Sequence, residues 1–119
     1  MARSALTPQT TAASGIVLAS AAAVDQPNGN EFVNDGRTLI EITNGSASGI
    51  TATFITNGTY NVGSVAYAIA DNQVIVAATT SKAVGPFDKT LYNSATGTVQ
   101  VDWSSGTTIT ARVIALGTA

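Results

Sequence analysis

Apolar and polar residues alternate one by one through four stretches of this chain. In Arg37–Thr43, Ile40 and Ile42 fall on one face and Leu39 and Glu41 on the other. Ile50–Ile55 puts Ile50, Ala52 and Phe54 on one side and Thr51 and Thr53 on the other. Thr98–Trp103 sets Val99, Val101 and Trp103 against Thr98, Gln100 and Asp102. Thr107–Ala115 aligns Ile109, Ala111, Val113 and Ala115. A period of two is the mark of a strand buried on one face only. Shorter β-prone runs lie at Glu31–Val33, Ala66–Ile69, Gln73–Ala77 and Lys82–Phe87, whereas residues 59–65 read as loop. Between them sit turn residues: Asn34-Asp35-Gly36, Asn44-Gly45, Asn57-Gly58, Asp71-Asn72, Gly85-Pro86, Tyr92-Asn93 and Ser104-Ser105-Gly106. Asn, Asp and Gly tolerate the positive φ that a tight reversal needs.

Seven or eight short strands separated by turns predict an all-β fold, an antiparallel β-sandwich of jelly-roll or immunoglobulin-like type. No amphipathic helix separates the strands, which argues against a parallel α/β sheet. The inward positions predict a core of Phe32, Ile40, Phe54, Val76, Phe87, Val99, Val101, Trp103 and Val113.

The pattern changes at about residue 28. Residues 1–14 hold three Thr, four Ala and one Pro, with no apolar period. We read residues 1–28 as an extended N-terminal arm with a first strand, and residues 29–119 as the sandwich domain. Gly15–Ala23 has the look of a signal-peptide core, but the long Thr-rich stretch before it, with the single Arg3, does not fit one. Residues 16–24 suit a strand or a short helix. An apolar arm without a core of its own suits the edge of a neighbouring subunit. Arg3, Leu6, Pro8, Ile16, Val17 and Leu18 are therefore the candidate subunit contacts.

Composition sharpens this picture by what it removes. The chain has no His and no Cys, and only 10% of it is charged. Those two side chains carry much of the general-base, nucleophile and transition-metal chemistry near neutral pH. Five scattered cations form no basic cluster, so neither nucleic acid nor an anionic membrane is an expected partner. Asp35, Asp71 and Asp88 sit in turns and match no ligand spacing. Ser81-Lys82, neighbours on a strand, point to opposite faces and cannot act as a catalytic pair. Asn44-Gly-Ser46 and Asn57-Gly-Thr59 match the glycosylation pattern but read first as turns. No catalytic residue, no metal ligand and no cofactor is expected. Twenty alanines make the apolar content small in volume, which implies a thin core and apolar surface kept for partners. Tyr60, Tyr67 and Tyr92 near loops leave open a carbohydrate-binding or adhesin module, in which aromatic rings stack on sugars.

Phe32-Val-Asn-Asp-Gly-Arg-Thr-Leu-Ile-Glu-Ile-Thr-Asn-Gly45, Val84-Gly-Pro-Phe87, Tyr92-Asn93 and Val99-Gln-Val-Asp-Trp103 together resemble small β-sandwich virion proteins of tailed bacteriophages. The resemblance covers residues 31–116; residues 1–28 lie outside it. It implies a structural role on the capsid surface of the virion, as a decoration or cement protein. Its partners would be the major capsid protein or other virion proteins, and itself as a homo-oligomer, often a trimer in that group. A place in the neck or tail is the alternative, since it needs the same stiff module.

Overall fold

The computed structural model describes residues 2–117. Among these, nine strands of four to seven residues carry the fold: β4 (Asn30–Val33), β5 (Thr38–Asn44), β6 (Ile50–Phe54), β7 (Thr59–Val62), β8 (Val65–Ala68), β9 (Asn72–Val76), β10 (Ser81–Val84), β11 (Thr98–Trp103) and β12 (Ile109–Ala115). Three two-residue strands precede them: β1 (Ser4–Ala5), β2 (Gln9–Thr10) and β3 (Ala22–Ala23). One helical turn, α1 (Lys89–Tyr92), follows β10.

Two sheets pack face to face. The first runs β1-β4-β11-β6-β9. The second runs β10-β5-β12-β2, with β3 also on β12. β7 and β8 pair only with each other. The fold is all-β, as the alternation predicts, but the sheets are mixed rather than purely antiparallel. β1 joins β4 in parallel, and β2 joins β12 in parallel. No tight hairpin links either short strand to its partner, so nothing forces an antiparallel approach.

The expected core is the observed one. Phe32, Ile40, Phe54, Val76, Phe87, Val99, Val101, Trp103 and Val113 are all buried. Phe87 lies at its centre, 5.7 Å from Phe32, 5.0 Å from Phe54 and 5.1 Å from Tyr92 between ring centroids. The contacts with Phe32 and Tyr92 are edge-on and that with Phe54 is tilted; edge-on pairs add about 0.5–1.5 kcal/mol to the burial of the rings. Gly85, whose peptide to Pro86 is cis, precedes this ring at φ 134°; a Cβ there would stand 2.9 Å from the Leu39 backbone.

Three buried asparagines hold the sheets in register. Asn30 Oδ1 accepts from Trp103 Nε1 at 2.8 Å and from the Asp25 amide, and its Nδ2 donates to Ser4 O. Asn34 Nδ2 donates to Phe87 O and Asn93 Oδ1. Asn44 Nδ2 donates to Ser48 O and Val76 O. Read from the sequence, Asn34 and Asn44 are turn residues. In the fold they are also struts, because a buried amide must find partners. Asn44 is fully buried, so the glycosylation pattern at Asn44-Gly-Ser46 is spent on structure.

Two further differences follow from context. Residues 59–65, expected as loop, begin a hairpin. The signal was Gly63-Ser64 between β-prone residues, with Gly63 at φ 64° in the first central position, the pattern of a II′ turn. The strand expected over Lys82–Phe87 stops at Val84, and a helical turn follows. Asp88 caps that turn by accepting from the Thr90 amide at 2.8 Å.

Candidate assembly interface

The side chains that carry charge are largely used inside the chain. Arg3 Nη1 pairs with Asp102 Oδ1 at 2.7 Å and donates to Val101 O. Arg37 donates to Gly117 O, and Lys82 to Ile75 O. Arg112 Nε lies 3.0 Å from Glu41 Oε1, an ion pair by distance without hydrogen-bond geometry, and Arg112 Nη1 donates to Ala19 O.

The carboxylates serve local structure. Ser4 above all, then Asn28, holds the Asp25 carboxyl below the usual carboxylate range. The Arg37 amide and Thr38 hydroxyl do the same for Asp35, and Thr90 for Asp88. In each case hydrogen bonds favour the ionised form. Among the described residues no three His, Cys, Asp or Glu side chains gather as a metal site. No helix there is long and apolar enough to cross a membrane.

Large apolar side chains outside the core collect on peripheral elements. The strap over residues 12–21 has no regular structure. Val17 on it is 91% exposed, Leu18 is exposed and Ile16 half-buried. Gln9 pins the strap from below, donating to Val17 O at 2.9 Å and accepting from the Ala19 amide at 2.8 Å. Beneath it runs a groove of about 280 Å³ lined by Leu6, Gln9, Ala19, Ala22, Arg112 and Val113 among others. The β7–β8 hairpin is the second element. Thr56 anchors its base to Ile69 O and Asp71, and Val62, Val65 and Tyr67 are exposed on it. The outer face of the first sheet adds Val33 and Ile75.

The six expected contact residues divide accordingly. Arg3 is ion-paired within the chain, Leu6 is buried in the core, and Pro8 is half-buried beside β2. Ile16, Val17 and Leu18 lie on the strap. Val33, Val62, Val65 and Ile75 were not foreseen. The unbroken apolar run Val74-Ile75-Val76 was the available signal for Ile75, since on a strand the middle residue must face away from its two neighbours. Of the three tyrosines, Tyr92 packs its ring on Phe87 and supplies no open stacking platform.

Comparison with protein-family models, with curated proteins and with solved structures returns no match in any of the three.

Proposed function

We propose that this chain is a structural protein of a tailed-phage virion that decorates or cements the head shell. The observation that carries the assembly role is the division of labour described above. A sandwich whose buried amides and most cations bond internally carries exposed apolar side chains on a strap and a hairpin at its periphery. Exposed apolar groups set apart from a satisfied core are what a docking protein presents. A lattice needs only weak individual contacts, because neighbouring copies raise the effective concentration of each. The phage assignment itself comes from the resemblance of residues 31–116. The partners are the major capsid protein and further copies of this chain.

The test uses heads and tails of the parent phage prepared without this protein. The wild-type chain is expected to saturate heads and leave tails bare. Val17→Asp with Leu18→Asp on the strap, or Val65→Asp on the hairpin, should lower head occupancy at least tenfold while the thermal melt stays unchanged. Binding to tails alone would move the protein to the neck or tail. Full occupancy by both folded variants would remove the proposed surfaces.

A further inference from the structure

The N-terminal segment offers one more reading, independent of any virion. Residues 3–11 lie along the open side of the sandwich and touch both sheets. β1 extends the first sheet through Ser4↔Asn30 and Ala5↔Glu31. Leu6 then enters the core at 8% exposure. β2 extends the second sheet through Gln9↔Ile114 and Thr10↔Ala115. Arg3 reaches Asp102, and Ser4 Oγ donates to Asp25. The seat for Arg3 is shaped for it: Gly29 sits at φ 79°, and a Cβ there would collide with Arg3 Nη1 and stand 2.6 Å from Asp102 Oδ1.

This segment is joined to the body by slack chain. Thr10 and Ala22 pair with Ala115 and Ala111, four residues apart on the same edge of β12. That gap is about 13 Å at ~3.3 Å per strand residue. The eleven residues between Thr10 and Ala22 span about 40 Å when extended. The linker carries no charge, has one turn hydrogen bond of its own (Gly15 amide to Ala12 O), and holds Val17 almost wholly in water. Over residues 12–21 it is tied down, among the described residues, only through Gln9 and Arg112 at Val17 and Ala19.

We propose that residues 3–11 are exchanged between copies, each chain filling the seat between β4 and β12 of its neighbour. The occupant's identity is given by the fold, since the same residues fill the seat within one chain. Apart from the Gln9 side chain, which bonds Val17 O and the Ala19 amide of the strap, they contact groups of the sandwich body that a second copy presents unchanged. The segment is held by two parallel pairings of two residues each, one buried side chain, one ion pair and side-chain hydrogen bonds at Ser4 and Gln9, less than the long pairings within either sheet, so it opens locally before the sheets do. Once out, a linker three times longer than its gap reaches a neighbour, and the exposed Ile16–Leu18 stretch then lies between two bodies. Exchange of an identical element costs little because bonds lost in one chain are regained in the next.

The absence of native cysteine makes a direct test possible. Ala5 and Glu31 are register partners on neighbouring strands, at a spacing of about 5 Å that a disulfide can bridge. Ala5→Cys and Glu31→Cys are placed in separate chains, co-expressed and oxidised, and in parallel combined in one chain. Exchange predicts a covalent heterodimer from the single variants and a ladder of covalent oligomers as the main product of the double variant, both read on a non-reducing denaturing gel. A double variant that runs as an internally crosslinked monomer, with no heterodimer from the singles, would overturn the proposal. So would failure of any crosslink to form. Neither result bears on binding to heads, which is measured separately.

Discussion

The two open sides of the sandwich are closed in different ways. On one side β9 and β10 follow each other in the chain, joined by a turn through residues 77–80. Lys82, facing the same way as buried Ile42, reaches across to donate to Ile75 O at 2.9 Å. An inward-facing charge on an edge strand is a known guard against unwanted pairing. On the other side the edges of β4 and β12 are covered by a segment that arrives from far along the chain. Leu6 fills the gap, and short parallel pairings lie to either side. The first closure is covalently local and cannot be lent. The second is a tethered strip that covers two edges at once, the element proposed above to pass between copies.

The largest effect that would break this comparison is at Leu6. Leu6→Ala should lower unfolding stability by about 2–3 kcal/mol in chemical denaturation, the lower part of the range for a buried leucine because the site lies at the sandwich margin. A loss under about 0.5 kcal/mol would mean the strip is ornamental. Lys82→Met should cost under about 1 kcal/mol, since the bond is exposed and the stem is kept. Its readout is association: light scattering should rise with concentration, because the guard on β9 is gone. An unchanged scattering curve would show that the turn alone protects that side.

The smallest effect is with pH. The Asp25 carboxyl is depressed by Ser4 and Asn28. A depressed carboxylate contributes stability that is complete above the ordinary value of about 4 and is lost as the pH falls through the lowered folded value. Hydrogen exchange of the Ser4 and Leu6 amides should therefore quicken below about pH 4, after correction for intrinsic rates. The β9–β10 side, whose cross-link is an ammonium on a carbonyl, should keep its protection there. Equal loss on both sides would erase the asymmetry.

Much of the core was legible because alternation is a local property. β5, β6, β11 and β12 show their inward residues in sequence order, and Phe87 stood out as one of seven aromatics. The hairpin at Thr59–Ala68 was half-hidden, since Thr59–Val62 alternates over only four residues and Val-Ala-Tyr-Ala has no polar face to contrast with an apolar one. The interface was less legible still. An exposed Val or Ile resembles a core residue until its neighbours are known, as Val33 and Ile75 illustrate. Arg3 and Leu6 gave no local sign of their seats, which are built from Gly29, Asp102 and the edges of both sheets.

For β5, β6, β11 and β12, strand identity and inward faces were set by the amino-acid order alone, as was the lack of histidine and cysteine chemistry, because each depends on residues a few places apart. Which strands became neighbours, that β1 and β2 run parallel to theirs, that Asn30, Asn34 and Asn44 became buried struts, and which apolar side chains were left in water were decided only in three dimensions. Those outcomes depend on pairings across tens of residues, where many registers satisfy the same alternation and only packing and hydrogen-bond satisfaction select one.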